Sequence, residues 1–207
     1  MTIVLSTEDS PSFQTRSGLK TSISSRLDRT FDDDDLNDFI YLAEREMERR
    51  LTVPYREVET TFSVTGATYP LPADFKAVRH LRAGGVTLEQ VTPASVTDDV
   101  GNPTAYAIVA GNLQFSPVPG SALSCAMVYE AQITPLTEGT PSNWLLNRHP
   151  DAYFYGALVQ ASDWITDPAR INRYRAMFDL TIDQINEEGL RYRYNSAPLT
   201  PRMYGVV

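Results

Sequence analysis

Apolar side chains recur along this chain with two different periods, and the switches between them divide it into three parts. Leu19, Ile23 and Leu27 fall every four residues, on one face of a short helix that Thr30 and Phe31 close. Leu36, Phe39, Ile40, Ala43, Met47 and Leu51 then keep a 3.6-residue period. Residues 32–35, all aspartate, precede that second helix. They suit its start, where carboxylates accept from unpaired N–H groups and complement the dipole, as Arg49 and Arg50 suit its end.

From Tyr55 to about Thr140 the period falls to two. Val58, Thr60, Phe62 and Val64 alternate, Gly66-Ala67 turns the chain, and Tyr69 and Leu71 follow, which predicts a hairpin. Further strands are predicted at residues 78–81, 105–110, 113–116 and 123–133, punctuated by Gly84-Gly85, Gly111-Asn112 and Pro117 to Gly120, with a short helical turn after Thr92. After Trp144 the helical period returns. Phe154, Ala157, Leu158, Ala161 and Ile165 form one stripe, then Asp167 as N-cap and Pro168 at the first position start a helix carrying Ile171, Tyr174, Phe178, Ile182 and Ile185.

The pattern predicts an α+β fold: a discontinuous antiparallel helical bundle with an inserted small antiparallel β domain and an extended C-terminal tail. Residues 1–17, rich in Ser, Thr and Pro, form an N-terminal arm. Residues 18–54 and 142–194 form the bundle, 55–141 the β domain, and 195–207 the tail. Pro198 and Pro201 bar helix in that tail, which still carries Leu199, Met203, Tyr204, Val206 and Val207.

With 207 residues the chain can bury a core without disulfides or a structural metal. Its single cysteine, Cys125, lies in an apolar run and reads as a buried inert thiol. No basic leader or membrane-length apolar run is present, which predicts a soluble, cytoplasmically made protein. A net charge of -8 disfavours sustained duplex binding, which rests on a surplus of Lys and Arg. An acidic lumen would equally suit a conduit through which DNA slides without sticking.

Candidate chemistry is sparse. His80 and His149 have no second ligand at metal-binding spacing, and the aspartate run lacks the alternating oxygens, turn Gly and terminal Glu of a calcium loop. No nucleophile elbow, phosphate-binding loop or zinc-protease motif occurs. No cofactor is expected. Glu44, Glu46 and Glu48, with Arg45 and Arg49 close by, read as a charged surface, although sequence alone leaves a paired-carboxylate hydrolase open. The stretches 170–174 and 191–194 interleave Arg and Tyr and could stack on nucleic acid; the plainer reading puts Tyr174 in the bundle and the arginines in water or at a subunit contact. Residues 167–207 carry five acids and six bases, whereas 31–53 carry eight acids and three bases. Opposite-sign patches on one protomer suit head-to-tail packing in a ring.

Five stretches resemble the head-tail adaptor, or connector, proteins of tailed bacteriophages. They are Ile23-Ser-Ser-Arg-Leu-Asp-Arg29, Phe39-Ile-Tyr-Leu-Ala-Glu-Arg-Glu-Met-Glu-Arg-Arg-Leu51, Leu71-Pro-Ala-Asp-Phe75, Gly101-Asn-Pro-Thr-Ala-Tyr106, and the block from Pro141 to Leu158. Their order carries the resemblance, above all Asn143-Trp144 followed by Gly156-Ala157. The resemblance implies a structural, non-enzymatic virion protein of the neck, with a twelve-copy ring seated under the portal. It implies as partners the portal and a downstream neck, stopper or tail protein, with DNA passing through the channel and no membrane contact. It also implies that the C-terminal tail docks on the portal, so Leu199, Arg202, Met203, Tyr204, Val206 and Val207 are the candidate site residues. The alternative reading is a small ligand- or glycan-binding module built on Tyr55, Phe62, Tyr69, Tyr106 and Phe115 of the β domain; those aromatics also follow strand alternation and fit a core.

Overall fold

A computed structural model describes residues 12–194. The fold is α+β, and contacts divide it into two units: the described residues up to Pro54 together with those from Ile133 onward, and Tyr55–Gln132.

The first unit is helical, with α1 (Arg16–Leu27), α2 (Asp33–Arg50), the short α3 (Trp144–Arg148), α4 (Pro150–Trp164) and α5 (Pro168–Tyr194). α1 begins inside the stretch expected to be arm, because Thr15 Oγ1 accepts from the Gly18 N–H at 3.2 Å and caps it. It ends at Leu27, where Asp28 turns left-handed. α4 packs against both α2 and α5. Gly156 permits this approach: a Cβ there would meet Ala43 Cβ of α2 and Phe178 Cε2 of α5 at 3.0 Å each. The apolar stripes expected on α1, α2 and α5 face inward, with Leu19, Ile23, Ile40, Met47, Phe178, Ile182 and Ile185 at most 2% exposed.

The second unit holds ten short strands: β1 (Glu57–Val64), β2 (Thr68–Pro70), β3 (Phe75–Ala83), β4 (Val86–Thr87), β5 (Glu89–Gln90), β6 (Val100–Gly101), β7 (Ala105–Val109), β8 (Asn112–Ser116), β9 (Val118–Pro119) and β10 (Leu123–Ala131). They form two four-stranded sheets, ordered β1-β10-β3-β4 and β2-β8-β7-β5, and a two-stranded pair β6-β9. Their inward residues, including Leu81, Leu113, Phe115 and Met127, make one core. A 3-10 turn at Pro93–Ser95 follows Thr92. β7 and β8 form a tight hairpin in which Ala110 and Gly111 both take positive φ, the backbone that a two-residue hairpin turn demands.

Two expectations need correction here. β1 and β2 do not form a hairpin: β1 pairs with β10 and β2 with β8, in different sheets. Gly66-Ala67 instead carries the chain from one sheet to the other, where the Ala67 carbonyl accepts from Phe115 N–H at 2.9 Å and Phe62 stacks on Tyr69 with ring centroids 3.9 Å apart. Alternation states which face is buried and not which strand lies alongside. Nor is the unit wholly antiparallel, since β5–β7 and β6–β9 are short parallel pairs reached through longer connections that let the chain return in the same sense.

Candidate functional site

Neither histidine gathers partners for chemistry. His80 is exposed on β3, with Thr87 Oγ1 3.3 Å from its Nε2. His149 joins α3 to α4; burial pulls its pKa down, partly offset by Glu188, whose carboxylate lies 3.9 Å from Nε2. Cys125 is buried in the β-unit core, and burial pushes its thiol pKa up. Among the described residues no group of three or more His, Cys, Asp and Glu could hold a metal ion. Also among the described residues, no helix is long and apolar enough to cross a membrane.

The aspartate run does not act as the expected cap. Asp32 occupies the N-cap of α2 but makes no side-chain capping bond. Asp33 accepts instead from Lys20 Nζ of α1 at 2.7 Å, and that bond holds its carboxyl below the usual range.

Glu44 is not the surface residue expected of it. Only 3% exposed, its Oε1 accepts from Leu136 N–H at 2.8 Å and from the Tyr153 hydroxyl at 3.0 Å. Burial pushes the Glu44 carboxyl above the ordinary range, an effect those two hydrogen bonds oppose. Burial also raises the Tyr153 phenol, and the neighbouring Glu44 charge adds to it. Asn143 Nδ2 donates both to Tyr153 Oη at 2.6 Å and to the Thr134 carbonyl at 2.7 Å, while its Oδ1 caps α3 by accepting from Leu146 N–H at 2.8 Å. Glu48, one turn further along α2, accepts from Ile133 N–H at 2.8 Å. Two carboxylates of α2 thus hold the extended segment that follows Gln132, satisfying buried backbone donors that no sheet or helix would pair. A signal was present in the sequence: Glu44 stands four residues after Ile40, inside the apolar stripe.

Two ion pairs join α2 and α5 within the subunit. Arg175 pairs with Glu46, and Arg50 with Asp179 at 2.6 Å. Beyond them, Asn186 Oδ1 accepts from Thr52 N–H at 2.8 Å. These contacts advance together along both helices, so α2 and α5 run in the same direction. Tyr174 is buried, Arg170 reaches Asp167 and the Leu27 carbonyl, and Arg191 meets Glu187. Burial takes Tyr174 out of any stacking surface, whereas Tyr192 is exposed. In the β unit, Tyr106 and Phe115 are core residues and the half-buried Phe62 and Tyr69 pack against that core, whereas Tyr55, the fifth aromatic of the ligand-binding reading, is half-buried outside it.

The six tail residues proposed for docking, Leu199, Arg202, Met203, Tyr204, Val206 and Val207, lie outside the described residues. Comparison with curated proteins returned no match. The family model described as SU10 adaptor protein matches residues 14–202, a span that takes in all five helices, the β unit, Leu199 and Arg202, and stops before Met203. With nearly the whole chain matched, and with its most telling block explained by the Asn143 cap, the Tyr153 anchor and the Gly156 approach, the chain belongs to the SU10 adaptor protein family of phage head-tail adaptors.

Proposed function

We propose that this phage adaptor assembles as a ring, of twelve copies by the family resemblance, between the portal and the tail or next neck protein, and that DNA passes through its channel. The observation that carries the reading is the family match across both helical ends and the β unit together. The role is structural, with the helices as a discontinuous bundle that carries the inserted β domain. Ring closure requires each subunit to present two different, complementary surfaces. The net charge of -8 suits a lumen that repels the polymer it conducts.

Residues 195–207 form the portal-docking element in this reading. Pro198 and Pro201 keep the backbone from helix, which lowers the cost of ordering, and Leu199, Met203, Tyr204, Val206 and Val207 supply the apolar surface. Burial of three or four such side chains contributes about 5–10 kcal/mol before ordering costs, at roughly 1.5–3 kcal/mol each. Repetition around a ring turns a modest net gain per subunit into a durable joint.

Deletion of residues 196–207 tests this. The expected product keeps the circular dichroism of the full chain and no longer joins portal-bearing heads. A truncated protein that unfolds, or one that still attaches normally, overturns the assignment of the tail.

A further inference from the structure

The intramolecular pairs Glu46–Arg175 and Arg50–Asp179 occupy one flank each of α2 and α5 and leave a second, outward face on both. On α2 that face reads Asp35, Leu42, Arg45 and Arg49; on α5 it reads Arg173, Leu180, Asp183 and Glu187. The spacing is the same in both helices, seven residues, then three, then four. At each charged position the sign is opposite, and at the second position Leu stands in both. Leu42 is 47% and Leu180 54% exposed, and Tyr41 and Met177 beside them are also exposed. Among the described residues Asp35, Arg49, Arg173 and Asp183 enter no ion pair, and Arg45 lies over the Tyr41 ring at 5.4 Å. Glu187 meets Arg191 at 3.4 Å on open surface, where such a pair is weak and readily exchanged.

We infer that these two faces are the halves of one contact between successive copies of this chain, with α2 of one copy lying parallel to α5 of the next. The inference rests on the ring reading above and names the surfaces that close the ring. In parallel register Asp35 meets Arg173, Leu42 meets Leu180, Arg45 meets Asp183 and Arg49 meets Glu187, along about 21 Å of helix at 1.5 Å per residue. Antiparallel register would set like charges against each other. The geometry agrees with cyclic symmetry: rotation about one axis preserves the sense of a helix along that axis, and α2 and α5 already share a direction within the subunit. The exposed leucines supply the apolar centre, and the charges fix register and exclude the wrong pairing.

Cysteine cross-linking of the full chain tests it, with little background because Cys125 is buried. Leu42→Cys, Leu180→Cys and the double variant are oxidised in solution and on portal-bearing heads, with wild-type assembly on the same heads followed by electron microscopy. The double variant should give a ladder of multimers, a mixture of the two single variants should stop at dimers, and neither single variant alone should cross-link. Dimers from one single variant alone reveal a twofold contact and overturn the proposal. So does an absence of cross-links on heads where the wild type forms a ring; a wild type that forms no ring defeats the ring reading as well. A second set keeps the question open to a clear answer if cysteine disturbs the surface. Arg45→Glu with Arg49→Glu, and Asp183→Arg with Glu187→Arg, should each abolish incorporation, and all four changes in one chain should restore it. Failure of that restoration in a folded protein overturns the assignment.

Discussion

Tyr153 donates its hydroxyl hydrogen to Glu44 Oε1 across 3.0 Å, joining α4 to α2 over 109 residues of sequence. The phenol is fully buried and also accepts from Asn143, so a cap, an aromatic and a carboxylate form one satisfied chain in the helical unit. Such chains resist partial removal, because each lost member leaves a buried partner unpaired.

Replacement of Tyr153 by Phe keeps the ring and deletes the link. We expect a loss of about 1–3 kcal/mol of stability in urea unfolding, because both Glu44 and Asn143 lose a partner. An effect of only a few tenths of a kcal/mol would mean that water or a shifted side chain replaces the hydroxyl.

The raised pKa of Glu44 gives its influence a direction in pH. The folded protein binds this proton more tightly than the unfolded chain, so the contribution of Glu44 is fully present below the ordinary Glu pKa and is lost as pH rises through the higher folded value. Wild-type stability minus that of Glu44→Gln should therefore fall as pH rises across the window just above the ordinary carboxylate range. Parallel curves for the two proteins would contradict it.

Gly156→Ala sets two effects of opposite sign against each other. Alanine favours helix by about 1 kcal/mol over glycine, but its Cβ would sit 3.0 Å from Ala43 Cβ and from the Phe178 ring. Overpacking between helices costs about 1–3 kcal/mol, and the neighbours are core atoms rather than flexible tips, so the variant should be less stable. A higher melting temperature would show that α4 can move away without loss.

Among the aspartates of residues 32–35, Asp33 should matter more than Asp32, since Asp33 holds Lys20 and Asp32 makes no capping bond. Asp33→Asn is expected to lower the melting temperature more than Asp32→Asn, and high salt should narrow the gap. A chelator should change neither; a large fall in melting temperature with EDTA would reveal bound metal.

Helix positions were legible in the sequence because their signals are local. The stripes of α1, α2 and α5, the start at Asp167-Pro168 and the turn after Thr92 depend on period, caps and proline within a few residues. Strand existence was legible for the same reason, as β3, β7, β8 and β10 illustrate. Strand partners were not. Val58 to Val64 alternates identically whether β1 lies beside β2 or beside β10, and the choice came from residues 59 to 71 positions away that complete its sheet.

The same division runs through the candidate site. The two helical ends, the strand-rich middle, the family resemblance and the apolar composition of residues 195–207 follow from order, period and composition along the chain. Tertiary structure alone decided that Glu44 is buried beneath Leu136 and Tyr153, that Arg175 and Arg50 answer to Glu46 and Asp179, and that Asp33 serves Lys20 rather than its own helix. A charge has the same symbol in a sequence whether it is solvated or paired. Its role depends on which opposite charge or buried donor the packing of distant helices brings within hydrogen-bonding reach, because electrostatic and desolvation energies act through space and not along the chain.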